Sequence, residues 1–214
     1  MENKSTFITF IDFSKAFDCV NRDMLFYKLL SNGIDGKMYF IIKALYMGTQ
    51  SCVKVNNWLT EWFETLLGVR QGDSLSPTLF SIFINDLAQG IQELGRGIEF
   101  ENERISILLY ADDVAIVCDN EQDMQVMLDF VHEWCNTWQM KINMSKSKVM
   151  HIRRKGTERS EFPFKFGQQV INYVSEYKYL GVIVDDTLEF TGHTSAMASA
   201  GHRALGALSG NIKN

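Results

Sequence analysis

The segment "LLYADDVAIV", residues 108–117, sets two adjacent aspartates, Asp112 and Asp113, inside an otherwise apolar run. Asp suits a tight turn, where its carboxylate bonds to nearby backbone N–H groups, so a plain hairpin bend accounts for such a pair. The same carboxylates could instead hold a metal ion if further acids reach them. Asp12 closes a second β-rich run, "TFITFID" (6–12), and becomes their neighbour if the two segments share a sheet. Two unit negative charges about 4 Å apart repel by roughly 4 kcal/mol at an effective dielectric near 20. Three carboxylates gathered at one apolar edge are therefore unfavourable unless one is protonated or a cation sits among them. Oxygen donors without His or Cys select a hard cation, Mg²⁺ or Mn²⁺. Two such ions about 4 Å apart serve a phosphoryl displacement by stabilising both the attacking and the leaving oxygen.

The elements around these acids can be read from period and punctuation. "TFITFID" alternates and is rich in β-formers, which predicts a strand. Helical stretches follow at 22–31 and 36–47, separated by Gly33, and "CVKVNNWLTEWFE" (52–64) reads as a hairpin turning at Asn56-Asn57. Ser76 and Pro77 predict an N-cap and first helical position. Leu79, Phe80, Phe83, Ile84 and Leu87 then form one face, and Gly90 weakens the helix end. Residues 105–118 form the hairpin with the two aspartates at its bend. A stripe of Met124, Met127, Leu128, Val131, Trp134, Cys135 and Trp138 predicts a core-facing helix capped near Asn120. From about 148 the pattern returns to strands: "KVMHIRR", "FPFKF", "VINYV" and "YKYLGVIV". The tail from Thr191, rich in Gly, Ala and Ser, reads as the first turns of a helix. The order fits an α+β fold with a split βαβ (ferredoxin-like) antiparallel sheet and helices packed on one face.

Composition sets the outer limits. The chain has 214 residues, 46% hydrophobic and 22% charged, with a formal charge of −5. That is ordinary for a globular protein, and no apolar run is long enough to span a membrane. The start "MENKST" is not a signal peptide, so an intracellular location, nuclear or cytoplasmic, is expected rather than secretion. Cys19, Cys52, Cys118 and Cys135 lack CxxC spacing and read as small core residues in a reducing compartment. The acidic balance argues against a broadly basic nucleic-acid binder. The segment "KINMSKSKVMHIRRKGTER" (141–159) nonetheless carries seven of the 21 basic residues against the single acid Glu158. It is either a solvated hairpin or a local surface for phosphates.

Five segments, in order, resemble the palm of a reverse transcriptase of the non-LTR retrotransposon type. "FITFIDFSKAFDCVNRDML" resembles the first palm motif, "GVRQGDSLSPTLFSIFINDL" the second and "YADD" the third. "WCNTWQMKINMSKSKVM" resembles the fourth, and "YKYLGVIVDD" the strand called the primer grip. The resemblance implies an RNA-directed DNA polymerase palm with Asp12, Asp112 and Asp113 as catalytic carboxylates holding two Mg²⁺ ions, or Mn²⁺ in their place. The backbone carbonyl of Phe13 would also face a metal. It implies that Phe17 is a steric gate against a 2′-hydroxyl, and that Arg70, Gln71 and Gly72 form the loop at the incoming nucleotide. Lys146, with Lys148 as competitor, matches the lysine that protonates the departing pyrophosphate. Tyr179, Leu180 and Gly181 match the primer-grip turn. The implied partners are an RNA template, a DNA primer and a deoxynucleoside triphosphate, with no membrane.

The chain also departs from the family. Only "MENKST" precedes the first motif, where relatives carry a fingers region, and Ser74 stands where they often have proline. The expected division is a palm core over 1–158, primer-grip-like strands over 159–190, and the start of a thumb over 191–214, with fingers absent. A fragment or remnant of this kind is expected to show little synthesis on its own. The alternative is a non-catalytic descendant that binds RNA or protein. A metal-dependent nuclease is weaker, because nothing marks a water-activating base.

Overall fold

Strand β1 (Thr6–Asp12) alternates between two environments, and that alternation organises the molecule. Phe7, Ile11 and, just past the strand, Phe13 point into the main core, while Ile8 and Phe10 point to the opposite face. A computed structural model describes residues 5–211. The first four residues of "MENKST" and the last three of the tail read as a thumb start lie outside the described residues.

After β1 come helices α1 (Arg22–Ser31) and α2 (Gly36–Tyr46). The segment read as one hairpin at 52–64 is a pair of nested ladders. In them β2 (Gln50–Ser51) pairs with β5 (Phe63–Glu64), and β3 (Lys54–Val55) pairs with β4 (Trp58–Leu59). Asn56 takes the positive φ of 55° at the tip. Helix α3 (Ser76–Glu93) buries Leu79, Phe80, Phe83, Ile84 and Leu87 as the spacing predicts.

Its ends differ from expectation. Leu75 occupies the cap with helical backbone angles, so Ser76 lies inside the first turn, buried, with its Oγ 3.4 Å from the Tyr46 hydroxyl. Among the described residues no side chain caps this helix; Asp73 instead orders the turn before it by accepting from the Leu75 N–H at 3.0 Å. Gly90 does not end the helix either. A Cβ there would stand 2.2 Å from Cζ of Phe130, so the glycine is where an aromatic ring from another helix seats.

A short hairpin, β6 (Ile98–Phe100) and β7 (Glu103–Ile105), precedes β8 (Ile107–Tyr110) and β9 (Asp113–Cys118). Sequence reasoning ran its end into the aspartate hairpin, which starts at Ile107 rather than 105. Helix α4 (Glu121–Trp138) is capped by Asn120, whose side chain accepts from the Asp123 N–H at 2.8 Å. Strand β10 (Lys148–Ile152) follows. The stretches "FPFKF" and "VINYV" shrink to the two-residue strands β11 (Lys165–Phe166) and β12 (Gln169–Val170). There Phe164 and Ile171 are spent on the core instead of on a longer ladder. Strands β13 (Glu176–Tyr179) and β14 (Val182–Asp185) make a hairpin, and α5 (Thr191–Asn211) is a helix, as the tail suggested.

The central sheet has the order β10-β1-β9-β8, antiparallel throughout. This is the split βαβ arrangement: the first strand lies between the last and third, with two helical crossovers on one face. Helix α4 packs on β1 and β9, α3 packs on β8, and α1 packs on α3. Phe80, Phe83, Leu87, Met124, Met127 and Val131 are fully buried between those layers. Burying each such side chain contributes roughly 1.5–3 kcal/mol. The other face carries a smaller cluster, in which Phe10, Ala115 and Met150 are covered by Tyr177, Tyr179 and Val184 from the β13–β14 hairpin. Among the described residues no helix is long and apolar enough to cross a membrane.

Candidate active site

The register places Asp12, the last residue of β1, directly opposite Asp113, the first residue of β9. Asp112 precedes it in the bend, where Ala111 has the left-handed φ of 53°. Asp12 and Asp113 follow Phe10 and Ala115 on the face away from the helices, so both acids stand at one end of the central strand pair. Burial pushes the Asp113 carboxyl above the ordinary carboxylate range, and the charges of Asp112 and then Asp12 push it further. Directly opposed like charges destabilise an antiparallel pair. The sheet tolerates them here at its open edge.

A cavity of about 440 Å³ opens at that edge. Asp12, Asp112 and Phe13 line it, together with Ser14, Lys15, Ala16 and Phe17 from the turn after β1, Gln71 from the loop before α3, and Asn143 and Lys146 from the segment before β10. Asp113 is not part of this lining. Lys146 brings its Nζ to 3.7 Å from Oδ1 of Asp12. Lys148, its competitor in the sequence, lies in β10 opposite Phe10 and outside the cavity.

The backbone fixes this assembly. The Asp12 N–H donates to Oγ of the buried Ser147 at 3.1 Å, and the Asn143 N–H donates to the Asp12 carbonyl at 2.7 Å. The Ser14 N–H donates to the Lys141 carbonyl at 2.7 Å, and Phe13 bridges Ile142. Residues 141–147 are thereby stapled along the end of β1, which is what brings Lys146 to Asp12.

The nucleotide-loop residues divide. Phe17 stacks on Phe80 with centroids 4.7 Å apart, yet keeps an edge on the cavity. Gln71 also reaches it, and its Nε2 donates to Asp18 at 2.8 Å. Arg70 turns away: its guanidinium donates to the Leu45 carbonyl at 2.6 Å and lines a neighbouring cavity of about 1020 Å³. Gly72 has φ +84°, and a Cβ there would meet no protein atom within 4 Å, so backbone freedom is what glycine supplies. The primer-grip candidates lie outside this cavity, on the sheet face away from the helices that also carries Asp12 and Asp113. Leu180 and Gly181, with φ of 47° and 87°, form the β13–β14 turn, and the Tyr179 hydroxyl is 3.4 Å from the Leu108 and Asp113 carbonyls. Burial, then the Asp113 charge, raises the Tyr179 phenol above its ordinary range.

Three contributors escaped sequence reasoning. Ser147 and Asn143 carry no chemistry that would mark them, and only the register of the staple reveals their work. Arg22 is buried, and its guanidinium donates to the carbonyls of Tyr46, Thr65, Leu67 and Gly68 and to the Thr49 hydroxyl, tying α1 to the loop that leads to Gln71. The basic run 141–159, in turn, is partly neutralised. Arg153 pairs with Asp186 at 2.5 Å, Lys155 pairs with Glu189 at 3.2 Å, and Arg159 lies 4.9 Å from the Tyr173 ring centroid.

Among the described residues no group of three or more His, Cys, Asp or Glu side chains is arranged to hold a metal ion. The donor chemistry nevertheless fits a hard cation: two carboxylates share one open cavity, free of Cys and His, beside a third that burial and then the charges of Asp112 and Asp12 raise.

A four-stranded antiparallel split βαβ sheet, with carboxylates at the ends of its two central strands, defines a nucleic-acid polymerase palm. The chain belongs to the reverse transcriptase family: residues 1–184 match the family described as "Reverse transcriptase (RNA-dependent DNA polymerase)". It is 28% identical over 208 residues to the RNA-directed DNA polymerase from mobile element jockey of Drosophila melanogaster, covering 94% of this chain and 22% of that protein. It is 30% identical over 194 residues to the jockey polymerase of Drosophila funebris, covering 88% and 20% respectively. A Nasonia vitripennis Pol polyprotein from retrotransposable element R2 matches at 26% identity over 86% of this chain and 18% of that protein. The relatives are thus of the non-LTR retrotransposon type, and the chain spans about a fifth of their length. Apo telomerase from Candida tropicalis, truncated from its C-terminal domain, shares the fold with a TM-score of 0.64 at 14% identity, over 87% of this chain and 35% of that one.

Proposed function

We propose that this chain is the palm of an RNA-directed DNA polymerase that joins a deoxynucleoside triphosphate to a primer 3′-hydroxyl on an RNA template. The observation that carries this reading is one cavity shared by Asp12, Asp112 and Lys146, with Phe17 and Gln71 on its wall. Asp12, Asp112 and the Phe13 carbonyl would hold Mg²⁺, or Mn²⁺ in its place, with Asp113 in support. When bound, a pair of such ions stabilises the attacking and leaving oxygens. The primer oxygen forms a bond to the α-phosphorus as the bond to the bridging α,β-oxygen breaks. The hydroxyl proton passes to solvent, and Lys146 protonates the departing pyrophosphate. The Phe17 ring, held by Phe80, excludes a ribose 2′-hydroxyl. Gln71, Gly72 and Arg70 form the loop beside the nucleotide, and the Tyr179–Gly181 turn supports the primer end.

In this reading residues 1–158 are the palm core, 159–190 the primer-grip unit and 191–214 the start of a thumb. Phosphoryl transfer rests on positioning and charge neutralisation by every contributing part. These 214 residues alone are therefore expected to extend a primer weakly. The test is primer extension on an RNA template by a chimera carrying the flanking regions of a jockey-type relative, with Asp112→Asn beside it. Synthesis that vanishes in the variant is the expected result. An inactive chimera that still binds RNA would replace the polymerase by a binding module.

A further inference from the structure

Lys15 is an outlier on two counts. It adopts φ +50°, a left-handed conformation that costs an L-residue with a Cβ about 1 kcal/mol or more. Its side chain is exposed and lines the candidate nucleotide cavity. The turn is locked from behind, because the Lys15 carbonyl accepts from the N–H groups of both Asp18 and Cys19, at 2.9 and 3.0 Å. Strain of this kind, over-determined by its surroundings and located at a site, points toward a role there.

Charge identifies the role. Four charged side chains line the cavity: Asp12, Asp112, Lys15 and Lys146. Lys146 is engaged with Asp12 at 3.7 Å, and the Gln71 amide is engaged with Asp18. Among the described residues Lys15 forms no ion pair, so its positive charge is the one the fold leaves uncommitted. A nucleoside triphosphate carries most of its charge on the β- and γ-phosphates, and an ammonium on a flexible stem binds such a group as a point charge.

We propose that Lys15 is a substrate-binding residue that contacts the terminal phosphates of the incoming nucleotide, fixing triphosphate over monophosphate. This inference rests on the reading of the cavity as a nucleotide site. Its test is isothermal calorimetry of the 214-residue chain in Mg²⁺ with dTTP and, separately, dTMP, comparing wild type, Lys15→Asn, Lys15→Arg and Asp112→Asn. Asn tolerates the left-handed backbone while removing the charge, and thermal melting checks that the fold is kept. Loss of a charge-assisted contact is expected to weaken dTTP binding by about 10- to 100-fold in Lys15→Asn. The dTMP affinity should stay unchanged, and Lys15→Arg should keep most of the dTTP affinity. Asp112-dependent dTTP binding that survives unaltered in Lys15→Asn, or dTMP binding weakened as much as dTTP, overturns the Lys15 assignment alone. A wild-type chain that binds no dTTP, or binds it no better than Asp112→Asn, removes the nucleotide-site reading itself.

Discussion

Replacing Arg22 by Leu should unfasten the loop that delivers Gln71 to the cavity. The guanidinium donates to the Gly68 carbonyl at 2.9 Å, Tyr46 at 3.0 Å, Thr65 at 2.5 Å and Leu67 at 3.2 Å, with the Thr49 hydroxyl at 2.6 Å. Among the described residues no carboxylate pairs with this buried charge, so these neutral acceptors compensate its desolvation, and it in turn satisfies them. A hydrogen bond to a charged group is worth about 1.5–3 kcal/mol, and an abandoned buried acceptor costs about 1–3. The acceptors border a large open cavity and partly rehydrate, which brings the net loss to roughly 3–5 kcal/mol rather than the full sum. For a chain of this size that lowers the melting temperature by about 6–20 °C. Arg22→Lys keeps the charge but not the planar fork, so it should recover less than half. Urea unfolding measures the stability, and amide exchange across 65–71 reports the loop, which should open before the sheet does. An Arg22→Lys protein as stable as wild type, with the loop equally protected, would refute the fork argument.

Two further perturbations separate electrostatics from packing. Asp113 binds its proton more tightly folded than unfolded, because burial and the neighbouring Asp112 and Asp12 raise its carboxyl. That stabilisation is complete below the ordinary carboxylate pKa and is lost as pH rises through the folded value. Asp113→Asn should therefore stabilise the apo protein at pH 7 and low salt by at most about 1 kcal/mol, since the group is exposed and screened. The gain should fade near pH 3 and shrink in Mg²⁺; a melt showing the same gain at pH 3 counts against crowding. Gly90→Ala should destabilise by roughly 1–2 kcal/mol in thermal melts, although helix propensity alone favours Ala by about 1. The reason is the Phe130 ring 2.2 Å from the new Cβ. Adding Phe130→Leu should recover most of the loss, and a more stable single variant would contradict the packing account.

The parts of the fold legible in the sequence were those that local physics decides. The α1 range 22–31 and the Asn120 cap of α4 followed from period and side-chain chemistry. So did the alternation that sends Phe7 and Ile11 one way and Phe10 and Asp12 the other. What stayed hidden depends on partners distant in sequence. Gly90 reads as a helix breaker until Phe130 is seen across from it. Ser76 reads as a cap until Tyr46 and the loop at Asp73 claim the positions around it. For the site, the types and order of the acids suggested that Asp12 meets the 112–113 bend, and the β1–β9 register sets Asp12 opposite Asp113. The division of Arg70, Gln71 and Gly72 between two cavities and a bare turn could not be read, because three successive residues look alike until the loop's path is known. Lys146 and Lys148 were likewise indistinguishable until one fell in the staple and the other in a strand.

The pairing of Arg153 with Asp186 and of Lys155 with Glu189 has a thermodynamic consequence. A cation already matched inside the protein liberates no counterion when a polyanion arrives, because it must first abandon its carboxylate. At Arg153 and Lys155, a strand lying across 141–159 would therefore add a shallower dependence on ionic strength than the slope of about −0.9 per contact that unpaired cations give on duplex DNA. Severing either pair from the acidic side, as in Asp186→Asn, would steepen that dependence by turning an internal tie into an outward-facing charge.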